Sequence, residues 1–178
     1  MRRGATARGA DAAPTVGILV ESDLWATEPA STATVERAIA RSAQLVPRPA
    51  GPGEVAVVLA DDAAVRALNR RWRDIDAPTN VLSFPASRPG AGRSPALLGD
   101  IVIAFETAAR EAAAENKPFT NHLAHLVVHG FLHLLGYDHQ SDEAADAMEG
   151  LERRILAGLD VPDPYVTHDA TSNLDSHA

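Results

Sequence analysis

Cysteine is absent from this 178-residue chain. Disulfides are therefore excluded, and any bound metal has to be held by histidine, aspartate or glutamate. The absence fits a reducing compartment. No stretch approaches the ~20 consecutive apolar residues of a membrane span. Arg2, Arg3 and Arg8 are not followed by the apolar run of about 7–15 residues that a secretory signal needs. The expectation is a soluble, cytoplasmic protein with no membrane contact. An excess of positive charge is also lacking. The formal net charge is −8, which argues against broad, non-specific binding to nucleic acid and leaves no expectation of DNA as a partner. There is no internal repeat and no convincing linker, so one domain is expected.

Apolar residues make up 46% of the chain and charged residues 22%, ordinary proportions for a globular domain long enough to bury a real core. Strands are expected over 16–21, 54–60, 81–84 and 99–104, the second apolar enough to be central. Residues around Trp25 read as a connection. Helices are expected over 33–44 (capped by Ser31 or Thr32), from Asp61 and Asp62 to about 71, over 105–116, from Thr120 or Asn121 to about 135, and from Ser141 to about 158. Leu123, Leu126, Val127, Phe131 and Leu134 form an i, i+3, i+4 stripe, and Ala124, Val128 and Leu132 cover other faces, so that helix is predicted to be buried. Val65, Leu68 and Trp72 share one side of the helix after the second strand. Trp72 is expected to anchor that helix in the core rather than to stack on a base. Strands and helices alternate first and helices dominate later. The predicted fold is a single α+β domain over 15–159, a mixed four-stranded sheet packed with helices around a buried central metal-binding helix. Residues 1–14 are expected to be a disordered tail, 86–96 a flexible loop, and 160–178 a flexible acidic tail in which His168 and His177 are bystanders.

What stands out is 129–139, H-G-F-L-H-L-L-G-Y-D-H. His129 and His133, four apart on a helix, are offset by about 40° and lie roughly 6 Å apart on one face. Two imidazoles at that separation can bind one ion at ~2.0–2.1 Å each. Gly136 reaches the left-handed conformation that ends helices. Tyr137 and Asp138 then carry His139 back toward the same point. Three neutral ligands leave a tetrahedral ion one open position, as catalytic zinc sites have.

The spacing H-x3-H-x5-H matches the ligand frame of metzincin proteases. Those enzymes need a glutamate directly after the first histidine to take a proton from water. Here that position is Gly130, so a metzincin-like metalloprotease is the weaker alternative. A Lewis-acidic metal without that base still needs a partner for developing negative charge. Residues 64–73 carry Arg66, Arg70, Arg71 and Arg73 with no acid, whereas 142–152 carry Asp142, Glu143, Asp146, Glu149 and Glu152 with no base. A basic patch thus survives on an acidic protein, and arginine's planar fork suits phosphate. Spacing alone does not choose Arg73 among its neighbours.

Residues 68–85, L-N-R-R-W-R-D-I-D-A-P-T-N-V-L-S-F-P, resemble the signature of the YbeY family of bacterial endoribonucleases. L-G-D-I-V-I at 98–103 and the 129–139 block are similar to that family's other two motifs, in the same order. The resemblance covers about 54–158. It implies a metal-dependent, single-strand-selective endoribonuclease that acts in maturation of ribosomal RNA, notably the 3′ end of the small-subunit RNA, and in ribosome quality control. It implies zinc (Zn2+) on His129, His133 and His139, a catalytic role for Arg73, and the ribosome or ribosomal proteins as partners. Imidazole also suits other divalent ions. The nucleophile, water or the RNA 2′-hydroxyl, and the general base stay open. A metal-stabilised ribosome assembly factor with little catalysis of its own is the other alternative.

Asp138 either orients a ligand histidine or serves as a turn residue. His125 is expected to be a buried, hydrogen-bonded histidine, and His122 a stripe or surface residue. Ser83 and Phe84 are expected to complete a strand beside the site.

Overall fold

Four segments rich in Val, Ile and Leu pair into one sheet. The computed structural model describes residues 13–47, 53–86 and 96–166. Its strands are β1 (Thr15–Val20), β2 (Gly53–Ala60), β3 (Val81–Pro85) and β4 (Ala96–Ala104), in the order β1-β2-β4-β3. β1 and β4 both run parallel to β2, and β3 lies antiparallel on the outer edge of β4. β2 is therefore interior, as its apolar run predicts. Val57 aligns with Ile101 and Leu59 with Ile103. These four side chains face one core, while Val102, Ala60 and Ala104 face the other.

The helices are α1 (Ser31–Leu45), α2 (Asp62–Arg73), α3 (Phe105–Ala114), α4 (Phe119–Leu134) and α5 (Asp142–Ala157). The larger core joins Val35 and Ile39 of α1, Leu123, Val127 and Phe131 of α4, and Met148 and Ile155 of α5 to the sheet. α2 covers the opposite face through Val65, with Leu68 and Phe84 at its margin. Leu123, Val127, Phe131 and Leu132 are fully buried. Each such side chain contributes about 1.5–3 kcal/mol, so α4 is held by packing on several sides. The expected mixed four-stranded α+β fold with a buried central helix is the one observed.

Several local expectations are corrected. Ser31 does not cap α1; it is a buried first-turn residue, because Ala30 before it is already helical (φ −81°, ψ −2°) and a side-chain cap needs an extended residue. α4 starts directly after Pro118, so Thr120 and Asn121 lie inside its first turn, and Pro118 O accepts the N–H groups of Asn121 and His122. Asp61 and Ser141 do cap, accepting from the N–H groups of Ala64 (2.8 Å) and Ala144 (3.1 Å). The stretch around Trp25 is a 3-10 turn, Asp23–Thr27. Its indole is buried edge-on against Phe105 and Phe119, and Nε1 donates to Ala60 O at 2.9 Å. Trp72 is not a core anchor: it is 62% exposed. The buried positions of α2 are Val65 and Asn69, so its last turn lies beyond the apolar patch.

Residues 160–166 run along the surface and are tied back at a few points. After α5, Val161 N–H donates to Leu156 O at 3.0 Å, and Lys117 Nζ donates to Pro164 O at 3.3 Å. The expected tail 1–14 (save 13–14), loop 86–96 (save 86 and 96) and tail beyond 166, with His168 and His177, lie outside the described residues.

Candidate metal centre

The end of α4 builds the centre. Gly136 takes φ +93°, a left-handed conformation open to glycine. Its N–H bonds His133 O at 3.0 Å, and Tyr137 N–H bonds Leu132 O at 3.1 Å. This paired pattern reverses the chain and satisfies carbonyls that the helix end would orphan. It also aims Tyr137 O back at His133, whose Nδ1 donates to it at 2.8 Å. His139 returns to lie 5.1 Å, ring to ring, from both His129 and His133, stacked on His129 at 15°. One ligand atom from each of the three lies within 4.8 Å of the others.

The donor chemistry fits a divalent ion. A carbonyl only accepts, so His133 carries its hydrogen on Nδ1. The Glu152 carboxylate accepts from His129 Nδ1 at 2.7 Å, which fixes the same tautomer there. The two Nε2 atoms then face each other at 3.0 Å with lone pairs and no hydrogen between them. On a tetrahedral ion with ~2.0–2.1 Å bonds, two nitrogens sit roughly 3.3 Å apart. Burial, and next the nearby His129, hold His133 below the usual imidazole range and so keep it a neutral donor.

Glu152 is the site residue that sequence reasoning missed. It is a fully buried carboxylate bonded by His129, by His125 Nε2 at 3.4 Å, and by the Tyr165 hydroxyl. Burial alone would raise its pKa; the hydrogen bonds from His125, His129 and Tyr165 outweigh that and hold it down at about 2. His125, His129 and Glu152 form a second group with metal-binding geometry, sharing His129 with the first. The signal was present in α5: Met148, Leu151 and Ile155 form a buried stripe, and Glu152 lies within it.

A cleft of about 470 Å³ opens beside the tripod, lined by Arg73, Asn80, Ser83, His129, His133 and Asp138 among others. Arg73 is thus on the same cleft as two of the three histidines, and the exposed His139 completes the tripod. Asp74 follows in a left-handed conformation (φ 59°), and Asn69 Nδ2 donates to Ala77 O at 2.8 Å, which pins the turn that orients Arg73. Arg73 makes no ion pair among the described residues.

Gly130 presses against the sheet. A Cβ there would lie 3.0 Å from Ile101 Cγ2 and 3.1 Å from Ser83 Oγ. A larger residue at the protease position would have to push both side chains back by a few tenths of an ångström. Ser83 Oγ donates to Gly130 O at 3.1 Å, so its hydroxyl ties β3 to α4. Asp138 accepts from Gln140 N–H at 3.0 Å, a turn role on the cleft wall. His122 is buried rather than exposed, with Nε2 2.8 Å from Glu111.

A family model described as endoribonuclease YbeY matches residues 21–160. A relative named endoribonuclease YbeY from Bradyrhizobium diazoefficiens is 53% identical over 162 residues, covering 89% of this chain and 88% of its own. Another of that name, from Rhodopseudomonas palustris, is 54% identical over 159 residues, covering 88% and 92%. The matched span holds α2 with Arg73, the β3–β4 pair and the whole helix, stop and return that carry the histidines. At this identity and coverage the chain belongs to the YbeY family of endoribonucleases.

Proposed function

We propose that this chain is a metal-dependent, single-strand-selective endoribonuclease that matures ribosomal RNA, notably the 3′ end of the small-subunit RNA, and works in ribosome quality control in the cytoplasm. Zinc on His129, His133 and His139 and a phosphate-binding Arg73 complete the proposal, with the ribosome or ribosomal proteins as partners. The observation that carries it is the single cleft lined by Arg73 and by two histidines of a donor set suited to a divalent ion.

When bound, the ion supplies Lewis acidity beside the phosphodiester. Glu152 and Tyr137 O hold His129 and His133 with their Nε2 lone pairs presented. Arg73 offers a planar fork to the phosphate and stabilises charge that spreads over its non-bridging oxygens. Ser83 is committed to the Gly130 carbonyl and orders the cleft floor.

The test incubates the metal-loaded protein with a single-stranded RNA and with unfolded casein, beside His133→Ala and Arg73→Ala. RNA cleavage is expected, lost in His133→Ala and lowered about 10²–10³-fold in Arg73→Ala. Casein cleavage, or RNA cleavage untouched by His133→Ala, sinks the proposal. Ribosome binding with no cleavage under any condition would instead identify an assembly factor. Elemental analysis checks the ion itself: a content well below one zinc per chain, with no rise on zinc addition, contradicts the tripod.

A further inference from the structure

We propose that Trp72 is a stacking platform for an unpaired base of the RNA strand whose phosphate lies at Arg73. The inference rests on the endonuclease reading above and names how that site selects single strands. The two tryptophans have opposite placements: Trp25 is 3% exposed and Trp72 is 62% exposed. Leaving an indole in water forgoes the burial that aromatic side chains otherwise supply. The Arg71 guanidinium lies 5.3 Å from the Trp72 ring centroid, and Phe84 meets the ring edge-on at 6.3 Å.

Charge is concentrated at the same place. Arg66, one turn and more back, is neutralised by Asp76 through bonds of 2.8 and 3.0 Å. Arg70, Arg71 and Arg73 make no ion pair among the described residues. Cations at a helix C-terminus are favourable in themselves, but that does not account for an exposed indole among them. The position does. Arg73 lines the cleft, and Trp72 precedes it in the last turn of α2, resting on Phe84 at the α2 face of the outer strand β3, whose Ser83 and Pro85 face the cleft. On this proposal a strand that passes Arg73 and rounds the β3 edge of the sheet reaches Trp72 next. Bases inside a duplex are already stacked on both faces, so this platform serves unpaired bases alone. On a chain of net charge −8, a local cationic and aromatic rim supplies an affinity that bulk charge does not.

The test titrates the full-length, zinc-loaded chain with a single-stranded oligoribonucleotide carrying a non-cleavable linkage, and with a duplex of the same length. Tryptophan emission is expected to be quenched by the single strand. Trp72→Phe, which leaves Trp25 alone to report, is expected to abolish the quenching and keep most of the affinity. Trp72→Ala is expected to weaken single-strand binding roughly tenfold and to leave duplex binding unchanged. A chain that binds with this quenching yet leaves the same strand with native linkages uncut would retain the platform and refute the endonuclease reading. Cleavage and affinity both untouched by Trp72→Ala, or equal losses on single strand and duplex, overturn the platform. RNA affinity kept while ribosome association is lost would assign the ring to a protein partner and likewise overturn it.

Discussion

A carboxylate with no exposed surface has to be paired, and Glu152 is paired by His129, His125 and Tyr165. Exchanging it for glutamine keeps the shape but removes the charge that holds His129 Nδ1–H. On the proposed ligand set, Glu152→Gln is expected to weaken zinc binding about 10–100-fold, measured by competition with a chromogenic chelator. Nitrogen NMR of His129 should then show mixed tautomers. A variant that melts earlier but binds zinc as before would reduce Glu152 to a packing role. The three histidines were legible because they fall within 129–139 and carry their own helix stop. Their partner was not, because the Glu152 bond spans 23 residues between two helices, and a run of acids reads as a solvated face until packing singles out one of them.

At the scale of elements, the stop of α4 does two jobs: it closes the helix and sets the tautomer of His133 through Tyr137 O. Both depend on φ +93° at Gly136, where an added Cβ meets no neighbour. The cost of Gly136→Ala is therefore backbone strain alone, about 1–2 kcal/mol, read by urea unfolding of the metal-free chain. A loss well below that would mean the turn is not held in this conformation. Helix existence and strand count were readable from periodicity. Helix starts were less so, since whether Ser31 or Thr120 caps depends on the backbone angle of the residue before the helix. Trp72 misled for a related reason. It repeats the spacing of Val65, but the apolar patch ends before the helix does.

At the scale of the whole molecule, folding and proton binding are linked. In the unfolded metal-free chain His133 titrates near its ordinary value, whereas in the fold burial keeps it below that. The unfolded state therefore binds more protons as pH falls below about 6.5, and stability declines there. A second decline follows below about 4.5, as the unfolded chain protonates Glu152 while the folded carboxyl resists down to about 2. Thermal midpoints of the chelated protein, taken from pH 8 to pH 3, should be flat at the top and fall in both windows. Glu152→Gln should shrink the lower one, to which Asp76 beside Arg66 and Glu115 beside Lys117 also contribute, and a midpoint that peaks near pH 5 would contradict the assignment. Which strands lie side by side was not legible, because pairing β2 with β4 joins segments some forty residues apart.

Helix α4 is wrapped by α1, α3, α5, β3 and β4, and this has a consequence for motion. Its amides open only when much of the core opens, so they should be among the slowest in the molecule to exchange with deuterium. The turn after Arg73 has exposed side chains from Asp74 to Pro78 and is tied to α2 by Asn69 and by the Arg66–Asp76 pair at the surface. Amides of the more exposed arginine turn are expected to exchange faster than those of the histidine helix. On the proposed function, adjustment to the shape of the RNA strand would then fall to the arginine side of the cleft.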